Sequence, residues 1–271
     1  ALRALNRLLD DTGRADLPTS IAAARTSLSD ERDRALAAEI ATGVQRWRAA
    51  LDHLIVHFSK RAIERLDSEI VEILRLSAYQ LLYLTRVPAS AVVDDAVNLT
   101  RREGKTSAGG FVNAVLRALS RARTRLPLPV APADPADRDA VLQYFSVTLS
   151  HPRWLAARWY DRMGFERTER WLRFNNAAAP LTLRANRLRI SRADLAARLE
   201  ALDVKVSPGR FAPDGLLVYE GSPLRGTAAD EGLFVVQDEA SQLVPLLAGS
   251  NPGARVLDAC ASPGGKTTAL A

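Results

Sequence analysis

Cysteine is almost absent from this 271-residue chain: Cys260 stands alone, so no internal disulfide can form. With only three histidines it makes no recognisable zinc spacing, which excludes zinc fingers as well as disulfide scaffolds. Long apolar runs are missing too. No window approaches the roughly 18 consecutive apolar residues of a membrane span, and Ala1-Leu2-Arg3-Ala4-Leu5 lacks the apolar core of a signal peptide. A cytoplasmic protein without a membrane segment is expected. Lysine is scarce, with only Lys60, Lys105, Lys205 and Lys266 among 37 basic residues. The net charge of +6 is therefore carried by arginine, which suits bidentate phosphate contacts and stacking on bases. A polyanionic partner and a genome whose codons favour arginine both explain that composition.

What is present is ordinary globular material, 47% hydrophobic and 25% charged. The length suits two domains, or two plus a fragment, burying about 70% of the unfolded surface. Residues 1–124 read as an all-helical domain. Leu51, Leu54, Ile55 and Phe58 recur at helical spacing, as do Val112, Val115, Leu116 and Leu119, each set forming one apolar stripe. Asp67-Ser68-Glu69 offers an N-cap before Ile70, Ile73, Leu74, Leu81 and Leu84, and Pro88 is expected to stop that helix near Val87.

Prolines at 127, 129, 132 and 135 mark a linker over 125–137. Residues 138–250 read as two helical stretches followed by a small α+β domain. Its strands are expected at Leu181–Asn186, Leu216–Tyr219 and Leu233–Val236, with a helix over Ala193–Leu202. Residues 251–271 read as the start of an α/β domain: Arg255–Asp258 as a buried strand, a Gly-rich turn, and the first turns of a helix from Lys266. One strand and a partial helix cannot cover their own apolar faces, so a fragment of a longer protein is expected.

The basic excess is concentrated between Arg153 and Arg198. Residues 151–198 carry 11 basic and 4 acidic side chains, interleaved with Trp154, Trp159, Tyr160, Trp171 and Phe174. Arginine alternating with aromatics suits single-stranded RNA, where phosphate pairing supplies affinity and stacking supplies sequence-tolerant contacts. Helical spacing places most of these aromatics in a core, with about one in three exposed. Arg184, Arg187 and Arg189 are the candidate RNA contacts.

Asp258-Ala-Cys-Ala-Ser-Pro-Gly-Gly-Lys-Thr267 carries the chemistry. Its small residues allow close backbone approach, Pro263 suits a first helical position, and free N–H groups would face a polar or negative ligand. The phosphate-loop pattern fits at Gly265-Lys266-Thr267 but fails where its first glycine falls on Cys260, and the dinucleotide pattern fails more fully. A Rossmann-like S-adenosylmethionine turn tolerates Cys260 and Ser262. The candidate cofactor contacts are Cys260, Ala261, Ser262, Pro263, Gly264, Gly265 and Lys266.

This turn resembles motif I of the RNA 5-methylcytosine methyltransferases, the NOL1/NOP2/Sun family. Gly232–Leu243 is similar to the lead-in to that motif, and His151-Pro-Arg-Trp-Leu with Leu183-Arg-Ala-Asn-Arg187 resembles the bacterial branch called RsmB, Sun or Fmu. In that branch the N-terminal helices resemble the antitermination factor NusB, which fits Glu72–Gln80 and Gly110–Arg117. The resemblance covers essentially the whole chain. It implies a NusB-like helical domain, a small α+β domain, and the beginning of a Rossmann-like methyltransferase domain.

It also implies methyl transfer from S-adenosylmethionine to carbon 5 of a cytosine in 16S ribosomal RNA. A cysteine thiolate adds to carbon 6 and a second cysteine assists release; both are expected beyond Ala271, so no catalytic residue is assigned in this chain and it is expected to be inactive alone. Cys260 is read as a small cofactor-contacting residue. A noncatalytic NusB-like RNA-binding protein is the alternative, with a phosphate-loop NTPase a distant third. The protein is expected to be a monomer without metal: His53 and His57 lack further ligands, His151 suits a capping or structural role, and Asp94 with Asp95 suits the start of a helix. Asp258 is expected to bond the amides of its own turn.

Overall fold

A computed structural model describes residues 30–224, 227–249, 251 and 253–270. The part of the helical expectation that falls on residues 1–29, the reading of Ala1–Leu5 included, lies outside them. The chain divides into two compact units between Ala177 and Ala178.

The first unit begins with α1 (Glu31–Arg46), α2 (Arg48–Ser59), α3 (Ser68–Tyr83), α4 (Ala89–Arg102) and α5 (Gly109–Ala122). The apolar stripes meet in one core containing Leu51, Leu54, Ile55, Ile73, Leu74, Val112 and Leu116, with Phe58, Leu81 and Leu84 partly buried against it. Asp67 does precede α3, but its carboxylate accepts from Lys105 Nζ at 2.7 Å and makes no cap bond. The helix also ends earlier than Pro88 predicts. Leu84 is already extended, and Pro88 instead precedes α4, where its fixed φ is compatible with a helix start. Asp94 and Asp95 lie inside α4, exposed, and not ahead of a helix start as the sequence suggests.

Within this bundle lies a charged cluster that reaches solvent only at Asp52. Arg75 clasps Asp52 with two bonds, Nε to Oδ1 at 2.6 Å and Nη2 to Oδ2 at 2.7 Å, and its Nη1 donates to Glu72 Oε1. Glu72 and Arg75 are buried, and Glu72 Oε2 has no protein partner.

The proline-rich segment is fastened down. Leu126 and Leu128 pack against the bundle, Pro127 O lies 3.0 Å from His53 Nε2, and Thr148 Oγ1 donates to Pro129 O at 2.5 Å. It leads to α6 (Arg138–Gln143), a π-helical turn (Tyr144–Thr148) and α7 (Arg153–Asn176), which bends at Gly164, where φ is +73°. Asp137 caps α6 through Ala140 N. Val141, Leu142, Phe145, Leu149, Ala156 and Leu172 form a second core, with Phe165 stacked on Phe145. Sequence reading groups α6 and α7 with the sheet, in 138–250; their contacts place them in the first unit. Ser150 Oγ, which accepts from Ala49 N, is one such contact.

The second unit is built on a four-stranded antiparallel sheet of order β2-β3-β1-β4: β1 (Leu181–Ala185), β2 (Lys205–Pro208), β3 (Gly215–Glu220) and β4 (Phe234–Val236). Helix α8 (Arg192–Glu200) packs Leu195 and Leu199 on Leu183, Ala185, Leu216 and Phe234. The short α9 (Thr227–Asp230) precedes β4, and α10 (Glu239–Ala248), capped by Asp238, follows it. Three strands and α8 match the sequence pattern, while β2 was not anticipated.

The buried strand expected at Arg255–Asp258 is absent. Val256 and Leu257 are 52% and 89% exposed, and no strand among the described residues pairs with the segment. A strand exists only through its ladder partners, so apolar composition alone did not make one. The Rossmann-like beginning therefore has no sheet here.

Candidate functional site

The Gly-rich turn is organised around two side chains. Asp258 Oδ1 accepts the Cys260 N–H at 3.0 Å, and Oδ2 accepts the Thr267 hydroxyl at 2.7 Å, as expected for an aspartate that ties its own turn. The Thr267 hydroxyl, the Cys260 N–H and the nearby Lys266 charge hold the Asp258 carboxyl below the usual range. Helix α11 (Thr267–Leu270) starts at Thr267, so Pro263, expected at a first helical position, lies within the turn.

Cys260, Ala261, Ser262, Pro263 and Lys266 are exposed, with Gly264 and Gly265 half-buried behind them. Gly264 has φ of +99°, a conformation that favours glycine. A side chain there would meet nothing closer than Ala261 O at 4.0 Å, so the turn is open on that side. Among the described residues the N–H groups of Gly264, Gly265 and Lys266 have no protein acceptor. Unspent donors on small residues beside open space fit the carboxylate and polar atoms of an amino-acid-bearing cofactor.

The back of the turn rests on the sheet unit. Arg184, on β1, donates from Nη1 to Gly265 O at 2.7 Å and from Nη2 to Thr268 Oγ1 at 3.1 Å. Gln237, just past β4, lies against Gly265; it is buried and its Oε1 lacks a partner. Gln242 donates to Leu183 O and Gln237 O, tying α10 to the same corner. Sequence reading found the turn but not these supports. The one available signal was the alternation of β1, which sets Thr182 and Arg184 on the face opposite Leu181 and Leu183.

The three candidate RNA arginines are therefore in different situations. Arg184 is engaged within the protein, and Arg189 donates to Glu231 O. Arg187 is 76% exposed, with a loose 3.7 Å ion pair to Asp214.

Helix α7 presents a broader basic surface. Arg153 pairs with Asp139, and Arg173 with Glu169 and Tyr144. Arg158, Arg162, Arg167 and Arg170 are exposed and make no ion pair among the described residues. Trp154 and Phe174 are 68% and 69% exposed, and Trp171 is 43% exposed and stacked on Phe174 at 5.7 Å. Three of the five aromatics thus face solvent, more than helical spacing led one to expect, while Trp159 and Tyr160 are half-buried. His151 takes the structural role of its two expected ones and does not cap α7: its Nδ1 lies 2.6 Å from Leu149 O, its ring meets Trp159 edge-on, and burial lowers its pKa against the opposing pull of that carbonyl. No group of metal-ligating side chains occurs among the described residues, and none of their helices is long and apolar enough to cross a membrane.

Comparison with known proteins adds the following. Residues 1–121 match the NusB family, and residues 151–225 match the RsmF/B-like methyltransferase ferredoxin-like domain. The Ribosomal RNA small subunit methyltransferase B of Pseudomonas putida is 37% identical over 271 residues, covering 100% of this chain and 58% of that protein. The Probable ribosomal RNA small subunit methyltransferase B of Bacillus subtilis is 31% identical, again over 100% of this chain and 58% of its own length. The chain thus spans a little over half of these relatives. The crystal structure of PH0851 superposes with a TM-score of 0.70 at 20% identity, over 99% of this chain and 58% of the other, a likeness of fold.

Proposed function

This chain joins a NusB domain to an RsmF/B-like ferredoxin-like domain and is a relative of the proteins named ribosomal RNA small subunit methyltransferase B, and on that premise we propose that it is part of an S-adenosylmethionine-dependent methyltransferase forming 5-methylcytosine in 16S ribosomal RNA. The domain limits proposed are 1–124 for the NusB-like helices, 125–137 for the linker, 138–250 for the helical and α+β region, whose helices α6 and α7 pack in the first compact unit, and 251–271 for the start of the methyltransferase domain.

One observation carries the cofactor reading: Gly264, Gly265 and Lys266 hold out unbonded N–H groups beside open space, while Asp258 and Arg184 fix the turn from behind. Cys260, Ala261, Ser262 and Pro263 complete the small-residue rim. When bound, S-adenosylmethionine supplies the methyl group. This chain's residues would hold the methionine end and leave the chemistry to groups outside it, since the cysteine that adds to carbon 6 is expected beyond Ala271.

RNA contacts are proposed on α7 and, independently of it, at Arg187. Arg158, Arg162, Arg167 and Arg170 would meet phosphates, with Trp154, Trp171 and Phe174 offering faces on which unpaired bases stack. Arg184 and Arg189, proposed with Arg187 from the sequence, have less free hydrogen-bonding capacity. A cytoplasmic monomer is proposed.

The test is methyl transfer from labelled S-adenosylmethionine to 16S RNA lacking the modification. The natural-length protein is expected to place label on carbon 5 of a cytosine and the 271-residue chain to place none. RNA binding without methylation by the natural-length protein would favour a noncatalytic RNA-binding protein.

A further inference from the structure

Arg184 reads from the sequence as an RNA contact, yet its guanidinium lies against the turn, on acceptors 81 and 84 residues away in the chain. It stands on β1, which is flanked on both sides: Arg184 pairs with Gly215 of β3 and Val235 of β4. Its backbone is therefore among the better fixed in the unit. The guanidinium fork is planar, so two bonds set its orientation.

The acceptor matters more than the count. The Gly265 carbonyl shares a peptide plane with the Lys266 N–H, and in a trans peptide the two point in opposite directions. Among the described residues the one cis bond of this turn is Ser262–Pro263, so the Gly265–Lys266 unit is trans. Pulling the Gly265 oxygen toward the sheet thus aims the Lys266 N–H away from it, toward the open side. Thr268 completes the lock: its hydroxyl accepts from Arg184 and donates to the same Gly265 oxygen at 3.4 Å. Gln237 fills the remaining space behind Gly265.

We propose that Arg184 is a positioning residue for the cofactor turn, orienting the Gly265–Lys266 peptide so that its N–H meets the methyl donor, and that it is not an RNA contact. The methyl-donor part rests on the function proposed above; the anchoring of the turn does not.

The experiment uses the natural-length protein with Arg184→Gln, Arg184→Lys and Thr268→Val. S-adenosylmethionine affinity is measured by calorimetry, RNA affinity across a salt series, and amide hydrogen exchange at Thr268 and Ala269 without ligand. Arg184→Gln is expected to weaken cofactor binding roughly tenfold. Arg184→Lys, which lacks the fork, restores part of the loss, and Thr268→Val costs a few-fold. RNA affinity and its salt slope stay at the wild-type values. Unchanged cofactor affinity in Arg184→Gln, or a flattened RNA salt slope, overturns the proposal. A wild-type protein that binds no S-adenosylmethionine overturns the assigned function instead; the anchoring then stands if Arg184→Gln speeds exchange at Thr268 and Ala269, whose N–H groups bond the Gly264 and Lys266 carbonyls, and falls if exchange is unchanged. Thr268→Val decides the same point should Arg184→Gln fail to fold.

Discussion

The ring of Tyr79 occupies the space that any side chain on Gly43 would need: a Cβ built there would overlap the ring and its hydroxyl. Gly43 lies in α1, where glycine is an unfavourable choice, and Tyr79 in α3. The close approach lets Tyr79 reach Glu39, whose Oε1 accepts its hydroxyl at 2.6 Å, and stack on Tyr83, which stacks in turn on Trp47. Burial first, and the Glu39 bond next, push the Tyr79 phenol well above its usual range.

Gly43→Ala should therefore destabilise the protein by about 1–3 kcal/mol, although alanine is the better helix former. Adding Tyr79→Ala should cost less than the sum of the two single changes, because the overlap disappears with the ring. Urea unfolding of the four proteins in the cycle measures this, and strict additivity would contradict the packing described.

The Arg75 cluster makes a second prediction. Arg75→Met should cost about 3–5 kcal/mol, since it strands Glu72 in the core without its cation. Glu72→Gln added to it should recover part of that loss.

Acid dependence follows from the same group. Burial pushes the Glu72 carboxyl above its ordinary 4.5, against the pull of Arg75. Between that value and the native one, the folded state holds a proton that the unfolded chain has released. Its contribution is complete below about pH 4.5 and is lost as pH rises through the native value. Wild-type stability relative to Glu72→Gln should decline over that interval; parallel curves in urea between pH 4 and 7 would refute the assignment.

On α7, Trp171→Ala or Phe174→Ala should weaken single-stranded RNA binding by about 1–3 kcal/mol per stacked base and leave the salt slope alone. Arg167→Ala, Arg170→Ala and Arg187→Ala should each flatten the slope by about 0.7. Filter binding between low and physiological salt separates the two behaviours. The three arginine side chains are exposed, so their replacement should barely move Tm.

Thr267→Val removes the hydroxyl that most strongly lowers the Asp258 carboxyl. Carbon-detected NMR titration should show Asp258 rising toward its ordinary value. Because a depressed carboxylate supports the turn above its unfolded value and releases it as pH falls through the folded one, the variant's turn should loosen at a higher pH than the wild type's.

The helices were legible because Leu51, Leu54 and Ile55, or Val112, Val115 and Leu116, repeat at a spacing that only a helix brings to one side. Strand β2 was not: Lys205-Val-Ser-Pro208 is four residues with one branched apolar side chain, and its pairing with β3 makes it a strand. The opposite error at Val256 and Leu257 has the same source, since apolar character without a partner strand was read as burial. In the site, the turn announced itself through glycines in a short window. The role of Arg184 did not, because its acceptors lie on a peptide and a hydroxyl far along the chain, where local spacing carries no information.

The fastening of the proline-rich segment has a consequence for how RNA would be gripped. With Leu126 and Leu128 packed against the bundle, Pro127 bonded by His53 and Pro129 by Thr148, residues 126–129 act as a brace and not a swivel. An RNA strand seated on α7 as proposed would therefore lie at a set distance and angle from the five preceding helices, and binding it would not require those helices to reorganise.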